Sequence, residues 1–213
     1  MGLFGKLFGK KDENQEVVVS AVNLNPGEVA AVVSGETVAL STVNDPVFSS
    51  EMMGKGIAIK PSANEVYAPV SGELTVFYPS MHAYGIKGDD GVEILIHIGI
   101  DTVNLEGKHF TSKKKQGDRL VAGELLGTFD RNAISKDGYD TTVMLIVTNT
   151  DNYAEVAPVK TGEVAAKEVI LNENKFVRRV DQLQAKGYQS TWSNTRKFMC
   201  YLLLRKLDER RFS

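Results

Sequence analysis

His82 and His97 are the residues whose type and spacing best suit chemistry in this sequence. The 213 residues contain three histidines and one cysteine, which excludes disulfide frameworks and thiolate zinc clusters because both need several sulfurs. A hairpin signal, KGDDG at 87–91, separates the two histidines. Antiparallel pairing around Asp89 predicts that they lie nearly opposite each other. Two facing imidazoles can bind a metal ion, relay a proton or carry a phosphoryl group.

The residues that must position this pair have the pattern of an all-β domain. Short apolar or alternating runs, such as VEILIHIGI at 92–100 and TTVMLIVT at 141–148, are separated by Gly, Pro, Asn and Asp. Such runs are typical of strands joined by tight turns. Alternation within 92–100 places the isoleucines on one face of a strand and His97 on the other. The sequence predicts a compact antiparallel β-sandwich or barrel over 17–173, with short helical turns, one of them at 131–136.

The charge distribution divides the chain into parts. Residues 17–173 carry 12 Lys and Arg against 21 Asp and Glu, whereas residues 174–213 carry ten Lys and Arg against three acids. This change predicts a separate basic tail over 174–213, and the sequence does not decide between a membrane-binding or partner-binding helix and a translated segment without selected function. The sequence predicts an amphipathic or disordered leader over residues 1–16, and in the amphipathic case the apolar side chains of residues 1–11 would contact a membrane surface.

Composition also indicates the cellular location of the protein and the kinds of partner it binds. The longest apolar run, at 94–100, is far shorter than the ~18 residues of a membrane span. The N-terminus lacks an apolar stretch followed by a cleavage site, and a single cysteine suits a reducing compartment. We therefore expect a cytoplasmic protein, with peripheral contact at the inner membrane face as the alternative. An acidic domain favours basic protein surfaces as partners, and no nucleic-acid partner is expected.

Five ordered sequence blocks resemble the glucose-type enzyme IIA component of the bacterial sugar phosphotransferase system. The similarity extends from about Val17 to Leu171 and includes both histidines. The tail over 174–213 has no counterpart in that family. The matching blocks are DPVF (45–48), GKGIAIKPS (54–62), APVSGEL (68–74), SMHAYGI (80–86) and GVEILIHIGIDTVNLEGKHF (91–110).

The resemblance implies a phosphohistidine carrier on a β-sandwich. His97 would accept the phosphoryl group from the histidine phosphocarrier protein and pass it to a cysteine on the IIB domain of a sugar permease. His82 would stabilise the phosphoryl group, and Ser80 would orient His82. No cofactor is implied, although the resemblance allows a zinc ion shared with a partner at His82 and His97. Regulated transporters or metabolic enzymes are further expected partners.

The resemblance also implies a docking surface around His97. Asp45 and Asp101 match acidic positions that meet arginines on the donor protein. His109 stands where the family usually has Gly, and we assign it no role. The apolar positions that match a shallow docking face are Val47, Phe48, Tyr84 and Ile96.

Elementary chemistry supports a carrier and leaves two rival functions. A phosphoryl-accepting histidine needs one unprotonated ring nitrogen and a fixed acceptor for the other. A zinc-dependent hydrolase on a related β scaffold is suggested by His97 and Asp101, but a catalytic zinc takes three protein ligands, and no HxH or HExxH motif is present. A purely regulatory binding module is the second rival, although regulation does not compete with transfer, because phosphorylation changes the surface by about two charges.

Overall fold

The computed structural model describes residues 21–175, and this part of the chain is mostly β-sheet, as the sequence predicts. Strand β14 ends at Lys175, two residues past the predicted domain boundary. The predictions for residues 1–16 and for the rest of the basic tail lie outside the described residues. The strands are β1 Glu28–Ala30, β2 Gly35–Val38, β3 Lys55–Pro61, β4 Glu65–Tyr67, β5 Gly72–Phe77, β6 Ala83–Gly88, β7 Glu93–Ile98, β8 Phe110–Thr111, β9 Arg119–Leu120, β10 Leu125–Phe129, β11 Val143–Val147, β12 Tyr153–Pro158, β13 Gly162–Val164 and β14 Val169–Lys175.

The strands form three antiparallel sheets. The largest has eight strands in the order β13-β2-β3-β11-β7-β6-β5-β9, so that β7, which bears His97, lies inside it. Two three-stranded sheets, β1-β14-β12 and β4-β10-β8, complete the fold. An interior strand is hydrogen-bonded along both edges, which makes β7 a stiff support for a reactive side chain.

Both faces of the eight-stranded sheet are covered near β7. All five residues of β11 are buried; they alternate between a large core that contains Leu145 and a smaller cluster that contains Met144 and Ile146. Because neighbouring residues of a strand point to opposite faces, the two clusters lie on opposite sides of the sheet. The smaller cluster consists of Leu40, Val43, Phe48, Ala58, Met144 and Ile146.

Helices in the described residues are short. The α-helices are α1 Pro46–Ser49 and α2 Arg131–Lys136, and the 3-10 helices are Leu40–Thr42, Thr102–Leu105 and Thr150–Asn152. The helical turn predicted at 131–136 is confirmed as α2. None of the helices in the described part of the chain is long and apolar enough to span a membrane.

The centre of the β6–β7 hairpin lies one residue later in the chain than predicted, which moves the pairing of the two strands by two residues. The hairpin is centred on Asp90 rather than Asp89, and Ala83 is the residue opposite His97. Val92 accepts a 2.7 Å backbone hydrogen bond from Gly88 at the tip. The turn therefore lies one residue further along the chain than the sequence pattern indicates, and His82 precedes the first residue of β6.

Candidate functional site

His97 lies on the face of β7 that carries the smaller apolar cluster. It is in register with Met144 of β11, which in turn pairs with Ala58 of β3, so these three side chains form a row on the same face. The imidazole is half-buried. The Phe48 ring packs against it with a centroid separation of 4.9 Å and an interplanar angle of 53°. His97 is therefore fixed by packing and still reachable from outside.

A backbone carbonyl fixes the protonation pattern of His97. Nδ1 lies 2.9 Å from the carbonyl oxygen of Gly99. A carbonyl only accepts, so Nδ1 carries the hydrogen and a neutral ring keeps the lone pair on Nε2. Burial lowers the pKa of His97, while the Gly99 carbonyl and the carboxylates of Asp45 and Asp101 oppose that shift. The burial effect is the largest, so the neutral, nucleophilic ring is favoured.

His82 is almost fully enclosed beside His97. Its exposed fraction is 3%, and the two imidazole centroids lie 4.9 Å apart with the planes at 83°. Nδ1 of His82 lies 2.7 Å from Oγ of the buried Ser80. Burial, together with a smaller effect of the neighbouring His97, lowers the pKa of His82 to about 4. His82 is thus a neutral imidazole at neutral pH, with one ring nitrogen engaged.

The loop before β6 directs His82 toward its partner. Met81 has φ 56°, in the left-handed region, and its N–H donates to the carbonyl of Tyr78 at 2.8 Å. Because this tight turn interrupts the strand pattern, regular alternation does not determine where the His82 ring points. Tyr78 packs edge-on against His82 at a centroid distance of 5.2 Å and is 48% exposed. The pair predicted from the hairpin thus comes together, although the register differs.

Asp45 has a structural task that the sequence analysis did not foresee. Its carboxylate accepts hydrogen bonds from the N–H groups of Val47 at 2.8 Å and Phe48 at 3.1 Å, which caps helix α1. Pro46 occupies the first turn, where its missing N–H has no cost. The cap holds the helix that presses Phe48 on His97. The Asp-Pro pair is a helix-start signal that could have revealed α1.

Two of the four predicted apolar docking residues are buried in the core. Tyr84 and Ile96 are 1% and 0% exposed and belong to the large core, on the face opposite His97. They pair with each other across β6 and β7, so strand alternation turns both inward. Val47 is 42% exposed, whereas Phe48 is buried between His97 and the smaller cluster. Of the four, Val47 alone is exposed.

The remaining predicted residues lie at the edges of the site. Asp101 is exposed, has φ 57° and immediately precedes the 3-10 helix Thr102–Leu105. His109 has φ 74°, in the region that favours glycine, and its Nε2 lies 2.9 Å from Oδ2 of Asp137. Across residues 21–175, no group of three or more His, Cys, Asp or Glu side chains is arranged to hold a metal ion.

Sequence comparisons identify a family whose members match most of the described residues. Residues 27–153 match the family model described as phosphoenolpyruvate-dependent sugar phosphotransferase system, EIIA 1. The glucose-specific EIIA component of Oceanobacillus iheyensis is 44% identical over 140 residues, which cover 66% of this chain and 85% of that protein. The glucose-specific EIIA component of Halalkalibacterium halodurans is 38% identical over 171 residues and 96% of its length.

Larger proteins and a solved structure show the same similarity. The beta-glucoside-specific EIIBCA component of Bacillus subtilis is 50% identical over 140 residues, which are 65% of this chain but 23% of that protein. The chain thus spans about a quarter of the length of this relative. Among solved structures, the glucose permease IIA of Mycoplasma capricolum superposes with a TM-score of 0.61 at 37% identity, covering 68% of this chain and 93% of the other.

Proposed function

We propose that this chain, which belongs to the EIIA 1 family of the phosphoenolpyruvate-dependent sugar phosphotransferase system, carries a phosphoryl group on Nε2 of His97. The family makes the chain a phosphotransferase component of sugar transport. The observation that carries the assignment to Nε2 is the 2.9 Å contact between Nδ1 of His97 and the Gly99 carbonyl. With the proton held on Nδ1, Nε2 is the nitrogen with a lone pair for attack on phosphorus.

The first transfer takes the phosphoryl group from the histidine phosphocarrier protein. The lone pair of His97 Nε2 attacks phosphorus, an N–P bond forms, and the N–P bond to the donor histidine breaks with its electron pair returning to the donor nitrogen. Nδ1–H remains hydrogen-bonded to Gly99 throughout, so no proton has to leave His97. Such a transfer needs alignment and charge stabilisation more than covalent assistance. The half-buried ring, packed on Phe48, meets the first requirement.

His82 meets the second requirement, which is stabilisation of the negative charge on the phosphoryl group. We assign the Ser80 hydroxyl as donor to Nδ1 of His82, which places the ring hydrogen on Nε2 and makes it a donor to a phosphoryl oxygen. The lowered pKa keeps His82 neutral, so it stabilises negative charge by a directed N–H rather than by a full positive charge. The 4.9 Å separation of the rings supports this division of roles.

The second transfer delivers the group to a IIB domain. A cysteine thiolate attacks phosphorus, an S–P bond forms, and the N–P bond breaks with its electron pair returning to His97 Nε2. Relatives named EIIBCA, such as that of Bacillus subtilis, join A, B and C components in one protein, which supports a IIB partner. We place both transfers in the cytoplasm.

Docking of both partners is proposed at the surface around His97. The exposed Val47 beside the buried Phe48 offers apolar contact, and Asp45 and Asp101 supply negative charge near His97. The acidic carboxylates would pair with arginines of the donor. Phosphorylation adds about two negative charges at this surface, enough to exchange one set of regulatory partners for another.

A zinc ion shared with a partner is a second use of the same pair. His82 and His97 supply two neutral imidazoles, and two more ligands would have to come from the partner. Equilibrium dialysis should then show weak zinc binding by the chain alone. Tight retention by the isolated chain would instead favour a site built entirely within it.

The proposal is tested by mapping the modification. The full chain is incubated with phosphoenolpyruvate and the two general upstream proteins of the system, and any acid-labile phosphoryl group is located by mass spectrometry. We expect one group on His97. His97→Ala should abolish labelling, whereas His82→Gln should accept the group and transfer it slowly to a IIB domain.

His109→Gln is the matched control, because it removes the remaining histidine without touching the pair. It should be labelled as fast as the wild type. Labelling of a histidine in the His97→Ala variant would show that the nucleophile is assigned wrongly.

A further inference from the structure

We infer that Thr102 is a positioning residue for His97, an inference that rests on the proposed phosphoryl transfer for its effect on rate. Thr102 begins the 3-10 helix that follows β7 and is fully buried. Its hydroxyl donates a 2.5 Å hydrogen bond to the carbonyl of Ile98, the last residue of β7. Thr102 contacts the turn that supplies the acceptor for Nδ1 of His97, rather than the reacting atoms.

The first peptide group of this turn joins Ile98 to Gly99. A trans peptide directs its N–H and C=O in opposite directions, so partners at both ends fix its orientation. The Gly99 N–H donates to the Thr142 carbonyl at 2.9 Å, and the Ile98 carbonyl accepts from the Thr102 hydroxyl. Thr102 therefore holds one end of this group.

The second peptide group joins Gly99 to Ile100. The Ile100 N–H donates to the Asp140 carbonyl at 3.0 Å, which turns the Gly99 carbonyl the other way, where it accepts from Nδ1 of His97 at 2.9 Å. The two peptide groups share the Cα atom of Gly99. A change in the orientation of the first group alters the φ of Gly99 and so the direction of the carbonyl that His97 uses.

Packing at Gly99 also restricts the conformation of this turn. Gly99 has φ 77°, and an added Cβ would lie 2.4 Å from Cγ2 of Thr102 and 2.6 Å from the Asp140 carbonyl oxygen. The methyl group of Thr102 therefore occupies the space beside the Gly99 Cα atom. Hydroxyl and methyl together hold the turn on two sides.

The chemical consequence concerns the tautomer of His97. The contacts from Thr142 and Asp140 are main-chain carbonyls, which substitution does not remove, whereas the contact from Thr102 comes from a side chain. Without the hydroxyl, the Gly99 carbonyl can turn away, and His97 can move its proton from Nδ1 to Nε2. A ring protonated on Nε2 has no lone pair there for phosphorus.

The test compares Thr102→Val and Thr102→Ser with the wild type in the full chain. Ring ¹⁵N chemical shifts report the tautomer of His97 without any partner protein, and phosphoenolpyruvate-driven labelling reports the rate. We expect Thr102→Val to give a mixture of tautomers and labelling about 10–100-fold slower, by analogy with the loss of groups that orient metal-binding histidines. Thr102→Ser keeps the hydroxyl and should keep both the Nδ1–H tautomer and a rate close to that of the wild type.

Thr37→Val is the matched control, since Thr37 is also buried and its Oγ1 accepts a 2.8 Å hydrogen bond from the N–H of Gly162 on another strand. It should leave tautomer and rate unchanged. Thr102→Ala replaces Thr102→Val if the latter does not fold. A folded hydroxyl-free variant with the wild-type tautomer and rate would overturn the inference.

The outcomes for positioning and for phosphoryl transfer are separable. If the tautomer depends on the Thr102 hydroxyl but the wild type accepts no phosphoryl group, the positioning role holds and the proposed function fails. If the wild type is labelled and the folded hydroxyl-free variant is labelled equally fast with an unchanged tautomer, only the role of Thr102 fails.

Discussion

The two faces of strand β7 differ in what their side chains do. Ile94, Ile96 and Ile98 are 2%, 0% and 1% exposed and anchor the strand in the large core. Leu95 and His97, on the other face, are only half-buried. The isoleucines that face the core therefore hold the backbone of β7 in place. His97, on the opposite face, gains a fixed position without being enclosed.

The face of β7 that carries His97 is covered by helix α1 and the smaller apolar cluster. Helix α1 has four residues, and its cap by Asp45 brings Phe48 against His97. The smaller cluster has six buried members, while the large core extends through most strands. The difference shows that the large core holds strand β7 in place from one side, while the other side of the sheet leaves His97 accessible.

Removing an inward side chain should give the largest effect on folding. Ile96→Ala deletes fully buried atoms and leaves a cavity, so we expect the free energy of unfolding to fall by about 2–5 kcal/mol. The folded fraction should still accept a phosphoryl group on His97. Urea denaturation combined with labelling below the transition measures both quantities.

Leu95→Ala is the matched variant on the outward face. Its half-buried side chain should cost less stability than Ile96 does. Equal losses for the two variants would contradict the difference between the faces.

Acidification should lower the stability of the folded protein because His82 is buried in its neutral form. The pKa of His82 is about 4 in the folded chain, below the 6.5 of an unfolded chain, so the unfolded state binds more protons between these values. Its contribution to stability is present above pH 6.5 and is lost as the pH falls toward 4. We expect wild type to lose about 1–2 kcal/mol more between pH 7 and pH 5 than His82→Gln does.

Urea denaturation at the two pH values measures this loss, and NMR titration of His82 reports its pKa directly. A His82 ring that titrates at the ordinary value would show that burial does not exclude its charged form.

The docking assignment gives the smallest expected effect. Val47→Asp places a charge at an exposed apolar position, and we expect the KM for the phosphorylated donor to rise about tenfold, which is about 1.4 kcal/mol, with little change in Tm. Tyr84→Phe should leave KM unchanged, because Tyr84 lies in the core. Steady-state transfer with increasing donor concentration gives the comparison. A larger KM effect from Tyr84→Phe would restore the docking role that its burial contradicts.

Much of the fold follows from local patterns in the sequence. Alternation in 92–100 and the turn signal at 87–91 predict the hairpin that carries His97, and the helical turn at 131–136 is found where expected. Strands β8, β12 and β13 and helix α1 were missed. The three strands have two to six residues and weak periodicity, so tertiary pairing rather than local preference fixes them. Helix α1, in contrast, has a local start signal in Asp45 and Pro46.

The sequence predicts some features of the site and not others. The pairing of His82 with His97 follows from the hairpin, yet the contact of His97 with Gly99 does not, because a main-chain carbonyl has no side-chain signature. Ile96 was assigned to the docking face by motif matching, while alternation places it inward with the other isoleucines. For this strand, the physical pattern was the better guide.

Ring-nitrogen NMR of the phosphorylated chain tests the central claim most directly. In protein labelled with ¹⁵N-histidine and phosphorylated from phosphoenolpyruvate, we expect phosphorus-coupled nitrogen at Nε2 of His97 and a protonated Nδ1 hydrogen-bonded to Gly99. Phosphorus bound to Nδ1 of His97, or to a ring nitrogen of His82, would contradict the account.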